Sequence, residues 1–302
     1  MVTKNMDRFR GIISSIITPF DENGNIVDDY VRKEVRVLLD AGVQGISPGG
    51  STGEGAMLTD EELVHLIHIV KEENTKNLPI VAGVIRNSTQ AAVKAGLAAK
   101  EAGADMLMVT PTAYAVLTPD DDGNYAYYKA ISDAVGLPII IYNVVPSNVI
   151  DTDLFERLLE IENVVGMKQS CGGIKGLYDM KIRLGNKALL YSATDDMLFS
   201  CFELGADGAI AAVLPIFPKE CVQMWEYAQA GETKKGLEIQ TRLFPLWQIV
   251  TGNGFTERVK ECIRQLGRTP GYSRSPLHDC SAETKEAIRL ELERIQAASS
   301  QS

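Results

Sequence analysis

Several things are scarce in this 302-residue chain, and each scarcity removes a class of function. Histidine occurs three times and the five cysteines are scattered with no C-x-x-C pair, so no familiar zinc or redox motif can be assembled from neighbours in sequence. An odd set of unclustered cysteines reads as reduced thiols, which points to a cytoplasmic protein. Basic residues are in deficit: 30 Lys and Arg against 40 Asp and Glu leave a formal charge of -10. Nucleic-acid and anionic-membrane surfaces want the opposite sign, so neither is expected as a partner. No apolar run approaches the roughly 18 residues of a membrane-spanning helix. The first ten residues, MVTKNMDRFR, contain no apolar core of a secretory signal. No G-x-G-x-x-G follows the first apolar run, which argues against a dinucleotide fold.

What the chain has is a repeat of short apolar runs and helix-period segments. The runs span 11–18, 45–48, 79–84, 105–110, 138–143, 164–168, 188–192 and 208–212. Continuous apolar runs of this length suit parallel strands covered on both faces. Between the first two, Val31, Val35, Leu38 and Leu39 mark one helical face, and Leu63, Leu66, Ile67 and Val70 repeat the pattern after the second. Thr59-Asp60-Glu61-Glu62 reads as a capping box, with similar helix starts at Asp151-Thr152-Asp153 and Ser192–Asp195. Glycines at 42, 103 and 205 close helices. Eight strand-then-helix units predict an α/β fold, a (β/α)8 TIM barrel over residues 1–231. Helices at about 233–251, 255–267 and 281–298 then form a C-terminal helical extension, 232–302.

In such a barrel the site lies at the C-terminal ends of the strands. Lys168 ends the buried run Val164–Lys168. Burial disfavours an ammonium ion, and a neutral lysine amine attacks carbonyls to form a Schiff base. Tyr142 ends the preceding strand, where a phenol can relay protons. Gly49-Gly50-Ser51-Thr52-Gly53-Glu54-Gly55 ends the second strand. Its glycines allow close backbone approach, and its amides and hydroxyls suit a carboxylate. His65 and His68 read as a surface or interface pair, Cys171 as a small packed residue, and Asp120-Asp121-Asp122 as a helix N-terminal cluster.

Taken in order, Gly50-Ser51-Thr52-Gly53-Glu54, Val109-Thr110-Pro111, Tyr142-Asn143-x-x-Pro146, Gly166-Met167-Lys168 and Gly205-Ala206-Asp207-Gly208 resemble the dihydrodipicolinate synthase / N-acetylneuraminate lyase family. The resemblance runs from about residue 8 into the C-terminal helices. It implies a class I Schiff-base lyase or aldolase acting on a 2-oxo acid, usually pyruvate, and an aldehyde, with no metal and no organic cofactor. Lys168 would form the imine, Tyr142 would be the acid/base, and Thr52 would link to Tyr142 in the proton relay. Gly50, Ser51 and Thr52 would bind the 2-oxo acid carboxylate, and the Ile210 backbone would lie near the substrate. Members are commonly homotetramers, dimers of dimers.

The departures concern the second substrate. Synthases of the family carry an arginine just after the Tyr-Asn motif to hold a carboxylate, whereas Pro146-Ser147-Asn148-Val149 has none. Their second tyrosine after Val-Thr-Pro is Ala113 here, with Tyr114 one later, where the lyases often have a tyrosine and which makes Tyr114 a candidate substrate contact. A serine of the lyases appears as Ala212, while Asp195 and Asp196 stand where that subgroup contacts sugar hydroxyls. The outer pocket reads as apolar, from Ala113, Val144, Val145, Ala211, Ala212 and Val213. Dehydration or deamination of a 2-oxo sugar acid or a hydroxypyrroline carboxylate through the same imine is the alternative. A non-catalytic barrel binding a small acid is a remote one.

Overall fold

The computed structural model describes residues 6–299. Eight strands alternate with eight helices: β1 Gly11–Ser15, α1 Asp28–Ala41, β2 Gly45–Ser47, α2 Asp60–Glu73, β3 Val81–Val84, α3 Thr89–Ala102, β4 Met106–Val109, α4 Asp121–Val135, β5 Ile139–Asn143, α5 Thr152–Leu158, β6 Val164–Gln169, α6 Gly173–Leu184, β7 Leu189–Ser192, α7 Leu198–Glu203, β8 Gly208–Ala209 and α8 Pro218–Ala230. Every strand pair is parallel, in the order β2-β1-β8-β7-β6-β5-β4-β3. A bridge between Ile46 and Ile80 brings the two ends together, so the sheet forms a nearly closed (β/α)8 barrel. The helices α9 Thr233–Val250, α10 Phe255–Gln265 and α11 Ala282–Ser299 follow, each beginning and ending within two residues of the expected bounds.

Strand alternation divides the buried apolar residues into two cores. Ile13, Val81, Met108, Ile140, Leu189 and Tyr191 face the barrel axis and pack with one another. Their neighbours Ile12, Ala82, Leu107, Ile141 and Leu190 face outward and join the helices. Both faces are covered, which is why the strands read as continuous apolar runs rather than alternating ones. The capping box at Thr59 forms as expected, its hydroxyl accepting from the Glu62 N–H. Gly42 and Gly103 close α1 and α3 in the left-handed region, at φ 83° and 108°. Asp120 caps α4 and Asp151 caps α5.

Two expectations change. The start at Ser192–Asp195 is no helix cap, because α7 begins at Leu198 and Asp195 turns instead to the Val213 N–H at 2.6 Å. The first and last strands, expected over 11–18 and 208–212, are each three residues shorter, ending at Ser15 and Ala209. Beyond β8 the Val213 N–H is the donor to that carboxylate.

Candidate active site

The register of β5 on β6 sets Tyr142 directly beside Lys168. Lys168 is buried, at 3% exposure, and its Nζ lies 3.6 Å from the centre of the Tyr142 ring. Among the described residues Lys168 Nζ makes no hydrogen bond or ion pair, which leaves the nitrogen available to a ligand. The Tyr142 hydroxyl donates to Ser51 Oγ at 3.1 Å. The link implied for Thr52 is therefore made by Ser51; Thr52 is buried next to it and lines the same cavity.

Close backbone packing holds that turn in place. Gly49 sits at φ 74°, and a Cβ on Gly83 of β3 would stand 2.3 Å from the Gly49 carbonyl oxygen. Only glycine fits either position without moving the loop. The Gly53 and Glu54 N–H groups donate to the Gly50 and Ser51 carbonyls. The N–H groups of Ser51 and Thr52, at the start of the turn, donate to no backbone carbonyl among the described residues. Like the first amides of any helical turn, they are donors in search of an acceptor. Glu54 adopts φ 56°, costly for a residue with a side chain, and its carboxylate is held from far away in sequence. Lys260 of α10 donates to it at 2.5 Å, and the Arg274 N–H at 2.9 Å.

Asn143, next to Tyr142, is structural. It accepts from Ile150 N and donates to Ile150 O and to Gln169 Oε1, tying the β5–α5 loop to the residue beside Lys168.

A cavity of about 190 Å³ opens on Lys168, lined by Ser51, Thr52, Tyr142 and Asp195, with Trp247 and Phe255 on the side of α9 and α10. Trp247, Phe255 and the 251–252 connection were not evident from the sequence, where they read as parts of amphipathic helices. A glycine pair, Gly252 and Gly254, between two aromatics was the available signal. Ile210 is fully buried beneath this cavity, in the inner core of the barrel, and Gly50 is buried in the turn. Neither lines the cavity with its side. Tyr114 stands apart from the other candidates, 60% exposed near the still more open Val116 and Leu117.

Asp195 is the carboxylate in the lining of this cavity. Burial pushes its carboxyl up to about 7, against the opposing pull of the Val213 N–H and the Lys168 charge. A carboxyl raised in the folded state binds a proton that the unfolded chain has already released. Its contribution to stability is complete below about 4 and is lost as pH rises to about 7. Asp195→Asn keeps the acceptor for Val213 and removes the titration. Urea midpoints measured across this window should fall with pH less steeply in the variant than in the wild type. Equal slopes would show that Asp195 titrates normally.

His65 binds Asp28 at the surface, at 2.8 Å, and all five cysteines are free. Among the described residues no group of three or more His, Cys, Asp or Glu side chains is placed to hold a metal ion, and no helix is long and apolar enough to cross a membrane.

The chain matches the Dihydrodipicolinate synthetase family over residues 8–295. It belongs to that family. The 4-hydroxy-tetrahydrodipicolinate synthase of Rhodopseudomonas palustris (strain BisA53) is 34% identical over 93% of this chain and 95% of its own length. Dihydrodipicolinate synthase from Aquifex aeolicus superposes with a TM-score of 0.89 at 29% identity, over 95% of this chain and 98% of that one. N-acetylneuraminate lyase from Fusobacterium nucleatum superposes with a TM-score of 0.86 at 26% identity, over 95% and 99%. As a member of the dihydrodipicolinate synthetase family the chain is an enzyme, an aldolase-type lyase.

Proposed function

We propose that the enzyme joins or separates a 2-oxo acid, pyruvate in the first instance, and an aldehyde through an imine on Lys168. The observation that carries this reading is the pairing of a buried, unengaged lysine nitrogen with the Tyr142 phenol on the next strand. The Lys168 nitrogen attacks C2 of the 2-oxo acid, and the carbinolamine loses its hydroxyl as water after protonation by Tyr142. Ser51 Oγ accepts the phenol proton's hydrogen bond and connects it to the cavity. The free amides and hydroxyls of Ser51 and Thr52 receive the carboxylate. Loss of a proton from C3 gives an enamine, whose carbon attacks the aldehyde carbon. The aldehyde oxygen takes up a proton, and water releases the product and restores the amine. The sequence uses no metal or organic cofactor. Free, unpaired cysteines and the family likeness support a cytoplasmic homotetramer, a dimer of dimers.

Tyr142→Phe tests the relay. Loss of a positioned acid/base is expected to lower kcat by about 10²–10⁴-fold, with the imine still trapped by borohydride after longer incubation. Wild-type kcat in Tyr142→Phe would overturn the assignment.

A further inference from the structure

Beside the Lys168 cavity lies a second and larger one, of about 440 Å³, that shares Ser51, Gly252 and Phe255 with it. Its shared wall with the Lys168 cavity makes it a place where the partner of the enamine can be held. Its wall is mostly apolar, with Met57, Ile85, Ala113, Val144, Val145 and Leu277, and its neutral polar groups are Ser51, Thr110, Asn253 and Thr256. No Arg, Lys or His lines it. The two charged residues that do are carboxylates. Glu54 is committed to Lys260, and Glu257 accepts from Thr256 Oγ1 at 2.8 Å. The cations nearest in sequence to the wall are also engaged, Arg258 beside Glu257 by the Ile249 and Thr251 carbonyls, each at 2.8 Å. Arg86, next to Ile85, binds Asp60 at 2.9 Å and the Leu58 and Ile85 carbonyls. Arg274 binds Glu62 and the Gly24 carbonyl. In the segment that follows Tyr142, the Asn148 amide donates to Thr112 and Asn124.

From this we infer that the second substrate is an uncharged, largely apolar aldehyde, and that a carboxylate-bearing aldehyde is discriminated against. The inference rests on the imine reading above and names its partner. An aldehyde with an anionic tail would lose its hydration on entering this cavity and find no cation in its lining, with the Glu257 carboxylate in the wall, which is unfavourable. An alkyl or aryl tail gains by leaving water. The reaction balances without another reagent. Pyruvate C3 bonds to the aldehyde carbon, the aldehyde oxygen takes the proton that C3 releases, and the product is a 4-hydroxy-2-oxo acid.

Butanal and succinic semialdehyde share a four-carbon chain and differ in the terminal carboxylate, so they isolate the charge. With pyruvate saturating, kcat/KM for butanal, and likewise for benzaldehyde, should exceed that for succinic semialdehyde by at least about tenfold. Leu277→Arg, at the partly exposed rim, should narrow the ratio by raising the rate with succinic semialdehyde. Equal or faster turnover of succinic semialdehyde by the wild type overturns the inference. So does a trapped pyruvate imine with no turnover of either neutral aldehyde. Absence of the trapped imine would instead overturn the assignment of Lys168, and the two failures are read separately in the same preparation.

Discussion

Incubated with pyruvate and borohydride, the wild-type enzyme gains the mass of one reduced pyruvate on Lys168, and Lys168→Met gains none. Turnover in the variant is lost with it, by several orders of magnitude. Methionine keeps the buried stem and removes only the nitrogen, so the barrel should fold with unchanged or slightly higher Tm. The prediction is sharp because the chain has a second buried lysine to serve as control. Lys260 is 1% exposed, more enclosed than Lys168, and burial pushes its ammonium toward the neutral form. Burial alone would nominate it as well. Its Nζ, however, donates to three oxygens, Glu54 Oε1, Thr18 O and Tyr272 O, at 2.5, 2.8 and 2.6 Å, and it lines neither cavity. Lys168 faces an aromatic ring and open space. Label recovered on Lys260, or retained in Lys168→Met, would overturn the assignment.

Lys260→Met should have the largest effect on stability. Removing one partner of a buried ion pair leaves the other charge without compensation, at a cost of about 3–5 kcal/mol. In a chain of this size that lowers Tm by on the order of 10 °C. The pair is enclosed on both sides, with 2% and 1% of the two side chains exposed. The consequence extends to the site. Glu54 follows Ser51 and Thr52 in a left-handed backbone conformation that its contacts with Lys260 and the Arg274 N–H hold in place. Releasing it should weaken pyruvate binding as well as folding. The double variant Glu54→Gln/Lys260→Met removes the stranded charge and should recover part of the lost Tm. An unchanged Tm in Lys260→Met, measured by calorimetry, would show that the pair does not anchor the turn.

These two lysines separate what was legible in the sequence from what was not. The barrel was legible because burial on both faces of a parallel sheet imprints a continuous apolar run on each strand, and helix caps add a local chemical signature. Lys168 and Tyr142 were legible because each interrupts such a run at its C-terminal end, and the strand order then forces them together. The apolar outer pocket was anticipated in part: Ala113, Val144 and Val145 do line the second cavity. Val213 does not line either one, and its N–H is spent on Asp195.

Other features depended on contacts between residues far apart in the chain. Glu54 and Lys260 are 206 positions apart, and neither interrupts a pattern that would announce a partner. Which of two adjacent hydroxyls Tyr142 reaches depends on the turn geometry that Gly49, Gly55 and Gly83 impose, and it proved to be Ser51. Asp195 looked like a helix cap, because a local reading gives a polar residue before a helix that role. By itself, then, the sequence determined the eight-stranded barrel and singled out Lys168 and Tyr142 as candidates, since each leaves a periodic or local trace. Only the tertiary structure decided the walls of the two cavities, the anchoring of the Ser51–Thr52 turn and the engagement of Arg86, Arg258 and Arg274. Those follow from side chains that meet across the barrel mouth, and such meetings leave no periodic mark in the chain.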